Sequence, residues 1–210
     1  MVSRGYGGKF KETLKVDENT SVKQTGDEAQ ILSKLNLPFY IDINRVRAVK
    51  TIAANHDCDI IISDDGLQHY NMNRDVEILV IDGKRRFGNN LVFPAGPLRE
   101  SKKRINSVDF IVNNSGPTAE GEHLMNISPS KFVHLKSGKS YPVEKWPMHK
   151  QVHAVAGLGN PGRFFDLLAR LGFDIARHPF ADHHNFSTTD LHYLDHLPII
   201  MTEKDASKCK

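Results

Sequence analysis

Two adjacent carboxylates, Asp64 and Asp65, end the apolar run Ile60-Ile61-Ile62-Ser63, and Gly66, Gln68 and His69 follow them. A buried parallel strand reads as such a run, and open α/β sheets bind ligands at the carboxyl ends of their strands. Carboxylates placed there commonly hold Mg²⁺ beside a nucleotide's phosphates. A strand ending in an Asx turn with solvated acids has the same letters, so the other polar clusters must decide. Gly26-Asp27-Glu28 puts two acids at a helix start, where they suit the macrodipole. An acid there, facing a nucleotide, could also take a proton from an attacking hydroxyl. In His178-Pro179-Phe180-Ala181-Asp182-His183-His184, Asp182 or another acid could orient His183 for general-base work; the spacing is wrong for a structural zinc site.

Three further segments are rich in glycine or proline. Pro94-Ala95-Gly96-Pro97-Leu98-Arg99-Glu100 is a rigid loop ending in an Arg–Glu pair, and arginine grips phosphate in a bidentate way. Gly157–Gly162 fits G-x-G-x-x-G between a strand and a helix, with Asp182 twenty residues beyond. A dinucleotide site and a plain turn with Pro161 opening a helix both remain open here. Ser3–Lys9 is glycine-rich but is not a P-loop, which needs four residues between its glycines and Ser or Thr after its lysine.

These groups must be carried by strands and helices. The spacing predicts helices over 27–35 and 44–54, the second capped by Asn44. Strands are expected at Phe39–Ile41, Asp59–Ser63, Val76–Asp82, Ser107–Asn113 and Val152–Ala156, and a further helix over Arg163–Leu171. Alternation of this kind indicates a parallel α/β sheet. The pattern weakens between 118 and 150, so the chain reads as a lobe over 1–117, a connection over 118–150 and a smaller α/β lobe over 151–210.

Lys and Arg number 28 against 25 acids in 210 residues, a formal charge of +3 that is too balanced to indicate nucleic-acid binding. Basic clusters at Lys84-Arg85-Arg86 and Lys102-Lys103-Arg104 are local and could meet phosphate or anionic lipid. Two distant cysteines favour a reducing compartment. No run approaches the ~18 apolar residues of a membrane span, so neither a spanning nor a secreted chain is expected.

Taken in order, Ser3-Arg4-Gly5-Tyr6-Gly7-Gly8, Gly26-Asp27-Glu28, Asp64-Asp65-Gly66-Leu67-Gln68-His69, Arg74-Asp75, Pro94–Glu100, Ala156–Pro161, Asp182-His183 and Met201-Thr202-Glu203-Lys204-Asp205-Ala206 resemble the tetraacyldisaccharide 4′-kinase family, the lipid A 4′-kinases of Gram-negative bacteria. The resemblance covers nearly the whole chain. It implies a two-lobed P-loop kinase that transfers the γ-phosphoryl of ATP to the 4′-hydroxyl of a lipid A disaccharide precursor, at the cytoplasmic face of the inner membrane. By resemblance, Asp64 and Asp65 hold Mg²⁺, and Asp27, paired with His183 or with His184, helps deprotonate the sugar hydroxyl. Glu28, Arg45, Gln68, His69, Arg99 and Glu100 line the nucleotide and phosphate region, and Gly157–Gly162 is a structural turn. The family's P-loop lies upstream of its Ser-Arg-Gly-Tyr segment, so the resemblance implies a P-loop-kinase-like lobe that is incomplete, with the extreme C-terminus absent too. The 210-residue chain alone is therefore expected to have little or no kinase activity. The alternatives are a degenerate non-catalytic fragment and a dinucleotide-binding protein that uses Gly157–Gly162.

Overall fold

Short strands and one bridged segment form the first sheet of the computed structural model, which describes residues 1–209. β1 (Val2–Ser3), β2 (Leu14–Lys15) and β3 (Tyr40–Ile41) lie in the order β1-β3-β2, with β1 parallel and β2 antiparallel to β3. On the free side of β1, Val2 donates its N–H to Ile62 O (2.8 Å) and accepts from Asp64 N–H (2.9 Å). The run expected as a strand over Asp59–Ser63 is therefore only bridged, at Val2↔Ser63. β1 presents two residues for pairing, so the ladder stops there and Ile60 is left 78% exposed.

The helices of this region follow local rules. α1 (Val22–Thr25) ends at Gly26, and α2 (Asp27–Leu32) starts directly after it and tightens into a 3-10 turn over Ser33–Leu35. Gly26 has φ 83° and ψ 160°, a combination that essentially only glycine adopts. A Cβ built on it would lie 2.1 Å from Tyr6 O. This glycine thus lets the start of α2 press against the 3–8 loop and fixes where Asp27 sits. α3 (Arg45–Asn55) is capped as expected: the Asn44 side chain accepts from Arg47 N–H at 3.2 Å. Ala48 and Ile52 of α3 close on Val2 and Tyr40, while Val16, Ala29, Phe39 and Ile41 form a neighbouring core.

The chain forms two units, one made of Met1–Gly66 together with the segment from Lys131 onward, the other of Leu67–Ser130. In the latter, β4 (Ile78–Asp82), β5 (Phe110–Asn114) and β6 (Glu122–Met125) make a parallel sheet in sequence order. Arg86 grips Glu122 with two hydrogen bonds (2.8 and 2.6 Å) and, as the main cause, holds that carboxyl down at about 2. The Gly- and Pro-rich stretch 87–100 carries no strand ladder or helix.

In the first unit, β7 (Lys131–Val133) and β8 (Ser140–Pro142) pair as a hairpin. β9 (Gln151–Ala156), α4 (Pro161–Arg170), β10 (Asp174–Pro179), β11 (Ile199–Met201) and α5 (Glu203–Ala206) follow. The sheet β10-β9-β11 is wholly parallel, with β9 at its centre and buried from Val152 onward. Pro161 opens α4, which turns Phe165 and Leu168 onto Val152, Ala154, Ala156 and Ile200. The α/β architecture with parallel sheets is the one expected.

Gly172 also has positive φ (79°), but nothing lies within 4 Å of its would-be Cβ. Gly172→Ala is expected to cost about 1 kcal/mol from conformation alone. Gly26→Ala adds overlap to strain and should cost roughly 3 kcal/mol. Urea midpoints of the two variants, compared with the parent, check this; equal losses would mean that the contact between Gly26 and Tyr6 is not tight.

Candidate active site

Asp27 opens α2 with only 5% of its side chain exposed. Its Oδ1 accepts Glu28 N–H at 3.0 Å, and its Oδ2 faces three cationic or ionisable groups. His183 Nδ1 lies 3.1 Å away, Lys208 Nζ 3.6 Å and Lys204 Nζ 3.9 Å. An ionised carboxylate only accepts, so His183 donates through Nδ1 and leaves Nε2 as its acceptor. The imidazole is 39% exposed, which makes it the outward member of the pair. It is held there by the left-handed backbone of His183 (φ 58°), by its N–H to Asp182 Oδ1 (3.0 Å), and by the Tyr6 ring 5.8 Å away.

The two histidines left open by the sequence are separated by the structure. His183 meets Asp27, whereas His184 Nε2 contacts Asp190 Oδ2 at 3.2 Å and packs between the rings of Phe180 and Phe186. Burial pushes the Asp27 carboxyl up, but Lys204, His183 and Lys208 outweigh it and hold the group below its usual range. Lys204 also reaches Glu28 at 3.0 Å and Asp182 at 3.8 Å. Burial alone would lower its ammonium's pKa, yet the acids around it leave it raised.

The Asp64–Asp65 turn is built by Arg45. That residue is 3% exposed, and its Nη1 donates to Ser63 Oγ (2.8 Å) and Asp64 O (2.5 Å), with Nη2 3.5 Å from Asp65 O. The guanidinium is thus used on the loop backbone. Burial lowers its pKa, against the opposing pull of Asp64 and Asp65. Asp65 sits at φ 45°, and Ser3 Oγ donates to Asp64 Oδ2 at 3.0 Å. The 3–8 loop therefore touches both groups, Asp64 through Ser3 and His183 through Tyr6. Among the described residues no set of three or more His, Cys, Asp or Glu forms a cage for a metal. Two carboxylates beside a hydroxyl are all-oxygen donors that suit Mg²⁺, which is commonly bound by one or two carboxylates together with substrate phosphates.

Gln68, Arg99 and Glu100 come together in the second unit. Gln68 Nε2 donates to Glu100 Oε1 (2.7 Å), Arg99 Nη1 to Gln68 Oε1 (3.3 Å), and the Tyr70 hydroxyl to Glu100 Oε2. The Tyr70 bond is the main reason the Glu100 carboxyl is lowered. His69 is fixed through its carbonyl, which accepts from Arg74 Nη1 at 3.0 Å.

The G-x-G-x-x-G segment is already occupied by the protein's own acids. Gly157 N–H donates to Asp205 Oδ2 at 3.1 Å, and a Cβ on Gly159 would lie 3.3 Å from Asp182 Oδ2. Its glycines admit carboxylates of the same unit, as a structural turn would. Lys204, Asp205 and Lys208 carried no role in the sequence reading. A signal existed, since they directly follow a strand of a parallel sheet, where ligand-facing residues gather.

A family model described as tetraacyldisaccharide-1-P 4′-kinase matches residues 1–210. The tetraacyldisaccharide 4′-kinase of Ruthia magnifica subsp. Calyptogena magnifica is 47% identical, the match covering 100% of this chain and 66% of that protein. The enzyme of the same name from Methylobacillus flagellatus is 43% identical over 100% of this chain and 63% of its own. The "apo" form of LpxK from Aquifex aeolicus, solved in complex with ATP, matches with a TM-score of 0.75 and 27% identity, over 99% of this chain and 68% of that one. The chain spans just under two thirds of the length of these curated relatives.

A carboxyl whose folded pKa lies below its unfolded value of about 3.9 stabilises the fold above that value. The stabilisation is lost as pH falls through the folded pKa. Asp27→Asn is therefore expected to flatten the loss of stability as pH falls below about 5, as read by urea unfolding. Glu122 and Asp190, both lowered to about 2, maintain the remaining acid dependence. An unchanged slope would place Asp27 outside the cationic cluster.

Proposed function

The chain belongs to the tetraacyldisaccharide-1-P 4′-kinase family, and from that premise we propose that the protein carrying it phosphorylates the 4′-hydroxyl of a tetraacyldisaccharide 1-phosphate, the lipid A precursor, using ATP. The observation that carries the proposal is the Asp27–His183 pair, with its buried acid, exposed imidazole and surrounding lysines.

The 4′-oxygen attacks the γ-phosphorus, the bond from that phosphorus to the β–γ bridging oxygen breaks, and ADP leaves. The hydroxyl proton passes to the Asp27–His183 pair. A modest base suffices, because phosphoryl transfer depends mainly on positioning and charge neutralisation. Asp64 and Asp65 are the residues that would hold Mg²⁺, which supplies charge neutralisation at the phosphates when bound. Arg45 keeps the 63–65 backbone in shape for that task. Glu28, Gln68, His69, Arg99 and Glu100 line the nucleotide and phosphate region in this reading. ATP as donor is supported by the Aquifex aeolicus relative, solved in complex with ATP.

An acylated substrate places the reaction at a membrane surface, and we assign it to the cytoplasmic face of the inner membrane. Among the described residues no helix is long and apolar enough to cross a membrane. Lys84, Arg85, Lys102 and Lys103 would add charge to that association, worth roughly 1 kcal/mol each near anionic lipid.

In the protein that carries this chain, Asp27→Ala and His183→Ala should each lower kcat by about 10²–10⁴-fold, the usual contribution of a positioned base. The KM for ATP should change little. Transfer of label from [γ-³²P]ATP to the disaccharide measures both constants, and full activity in either variant would remove the pair from the mechanism.

A further inference from the structure

Lys208 is left unused by the chemistry above, yet it is the more deeply buried of the two lysines at Asp27. Its side chain is 6% exposed, against 18% for Lys204. Its Nζ lies 3.3 Å from Asp205 Oδ1 and 3.6 Å from Asp27 Oδ2. Asp205 is itself fully buried, and its other oxygen is fixed twice. Oδ2 accepts Gly157 N–H at 3.1 Å, from the end of β9, and Thr202 Oγ1 at 2.8 Å. The backbone is closed as well, since Asp205 N–H donates to Thr202 Oγ1 at 3.2 Å. Asp205 is therefore a rigid anchor, and the ammonium between it and Asp27 has little freedom.

Burying an ammonium without partners is costly, and burying two facing carboxylates without a cation is costlier. Each of the three groups is tolerable in place because of the others. Lys204 differs in kind: it is the more exposed of the two, and its ammonium is shared among Asp27, Glu28 and Asp182.

We propose that Lys208, anchored by Asp205, is a positioning residue that fixes the Asp27 carboxylate against His183. The role rests on the kinase reading, in which that pair receives the hydroxyl proton. Lys208 acts from behind, on the side of Asp27 that faces the protein, and takes no part in substrate contact. Among the described residues the charged groups around Asp27 are Glu28 on α2, Asp182 and His183 after β10, and Lys204, Asp205 and Lys208 in and after α5. Without Lys208, Asp27 faces Asp205 with one fewer cation and keeps its proton to higher pH.

Lys208→Met keeps most of the side chain's length and removes the charge, whereas Lys208→Arg keeps the charge. The Asp27 carboxyl titration, followed by ¹³C NMR in the protein that carries this chain and assigned with Asp27→Asn, should move upward by about one unit in Lys208→Met. In the protein that carries this chain, kcat at neutral pH should fall about tenfold or more in Lys208→Met. The KM for ATP should stay within about twofold, the acid limb of the pH–kcat profile should move to higher pH, and Lys208→Arg should regain most of the rate. If Lys208→Met does not fold, Lys208→Gln carries the same expectation, because its amide still donates to Asp205. Unchanged kcat in a folded neutral variant overturns the inference. Equal losses in the Met and Arg variants with an unmoved Asp27 titration also overturn it, since they describe a merely structural lysine. Absence of any transfer to the disaccharide by the parent protein would instead overturn the kinase reading, and the role with it, while leaving the NMR shift in place.

Discussion

The constraint on which the site depends is a buried carboxylate that must be paired. Asp27 is nearly inaccessible, and an isolated charge in such a place is untenable. Its partners come from far along the chain: His183 after β10, Lys204 from α5 and Lys208 just beyond it. Satisfying one side chain therefore joins the first 66 residues to the last parallel sheet within one unit. The demand propagates outward. Gly26 must be glycine so that α2 can begin where Asp27 needs it, and Gly157 must be small so that its N–H can reach Asp205, which anchors Lys208.

The same logic governs the Asp64–Asp65 turn. Two acids ending a merely bridged segment do not by themselves make a stable loop, and Arg45 supplies donors to Ser63 and the two aspartate carbonyls. The arginine is buried because it is used on the loop, while the Asp64 side chain accepts from the Ser3 hydroxyl. The 3–8 loop then spans the two groups with one hydroxyl and one ring, Ser3 on Asp64 and Tyr6 beside His183. The proposed proton-accepting pair and the proposed cation-holding pair thus share the 3–8 loop.

Local physics was legible in the sequence and tertiary pairing was not. The Asn44 cap, the helix from Asp27 and the strand β9 follow from short-range rules and emerged as expected, and α4 begins at Pro161, two residues before the expected Arg163. Ile60–Ser63 read as a strand because it is apolar, but a strand also needs a partner of matching length, and β1 offers two residues. The pairing of Asp27 with a histidine came from family resemblance alone; 156 positions separate it from His183, and no periodicity spans that distance. Gly157–Gly162 shows the opposite failure. Its spacing fits a dinucleotide loop, and only the fold reveals Asp205 and Asp182 in the space a ligand would need. Lys208 follows a parallel strand, but the inward turn of its ammonium towards Asp27 depends on tertiary packing that no local pattern encodes.

If Asp27 and His183 act as one proton-accepting unit, their contributions to catalysis cannot be independent. The most direct measurement is a double-mutant cycle on kcat for phosphoryl transfer from ATP, with Asp27→Asn, His183→Gln and the combination in the protein that carries this chain. The double variant should be no slower than the slower single variant, because either change alone disables the unit. If the two losses multiply instead, the residues act separately, and the paired carboxylate–imidazole reading is wrong.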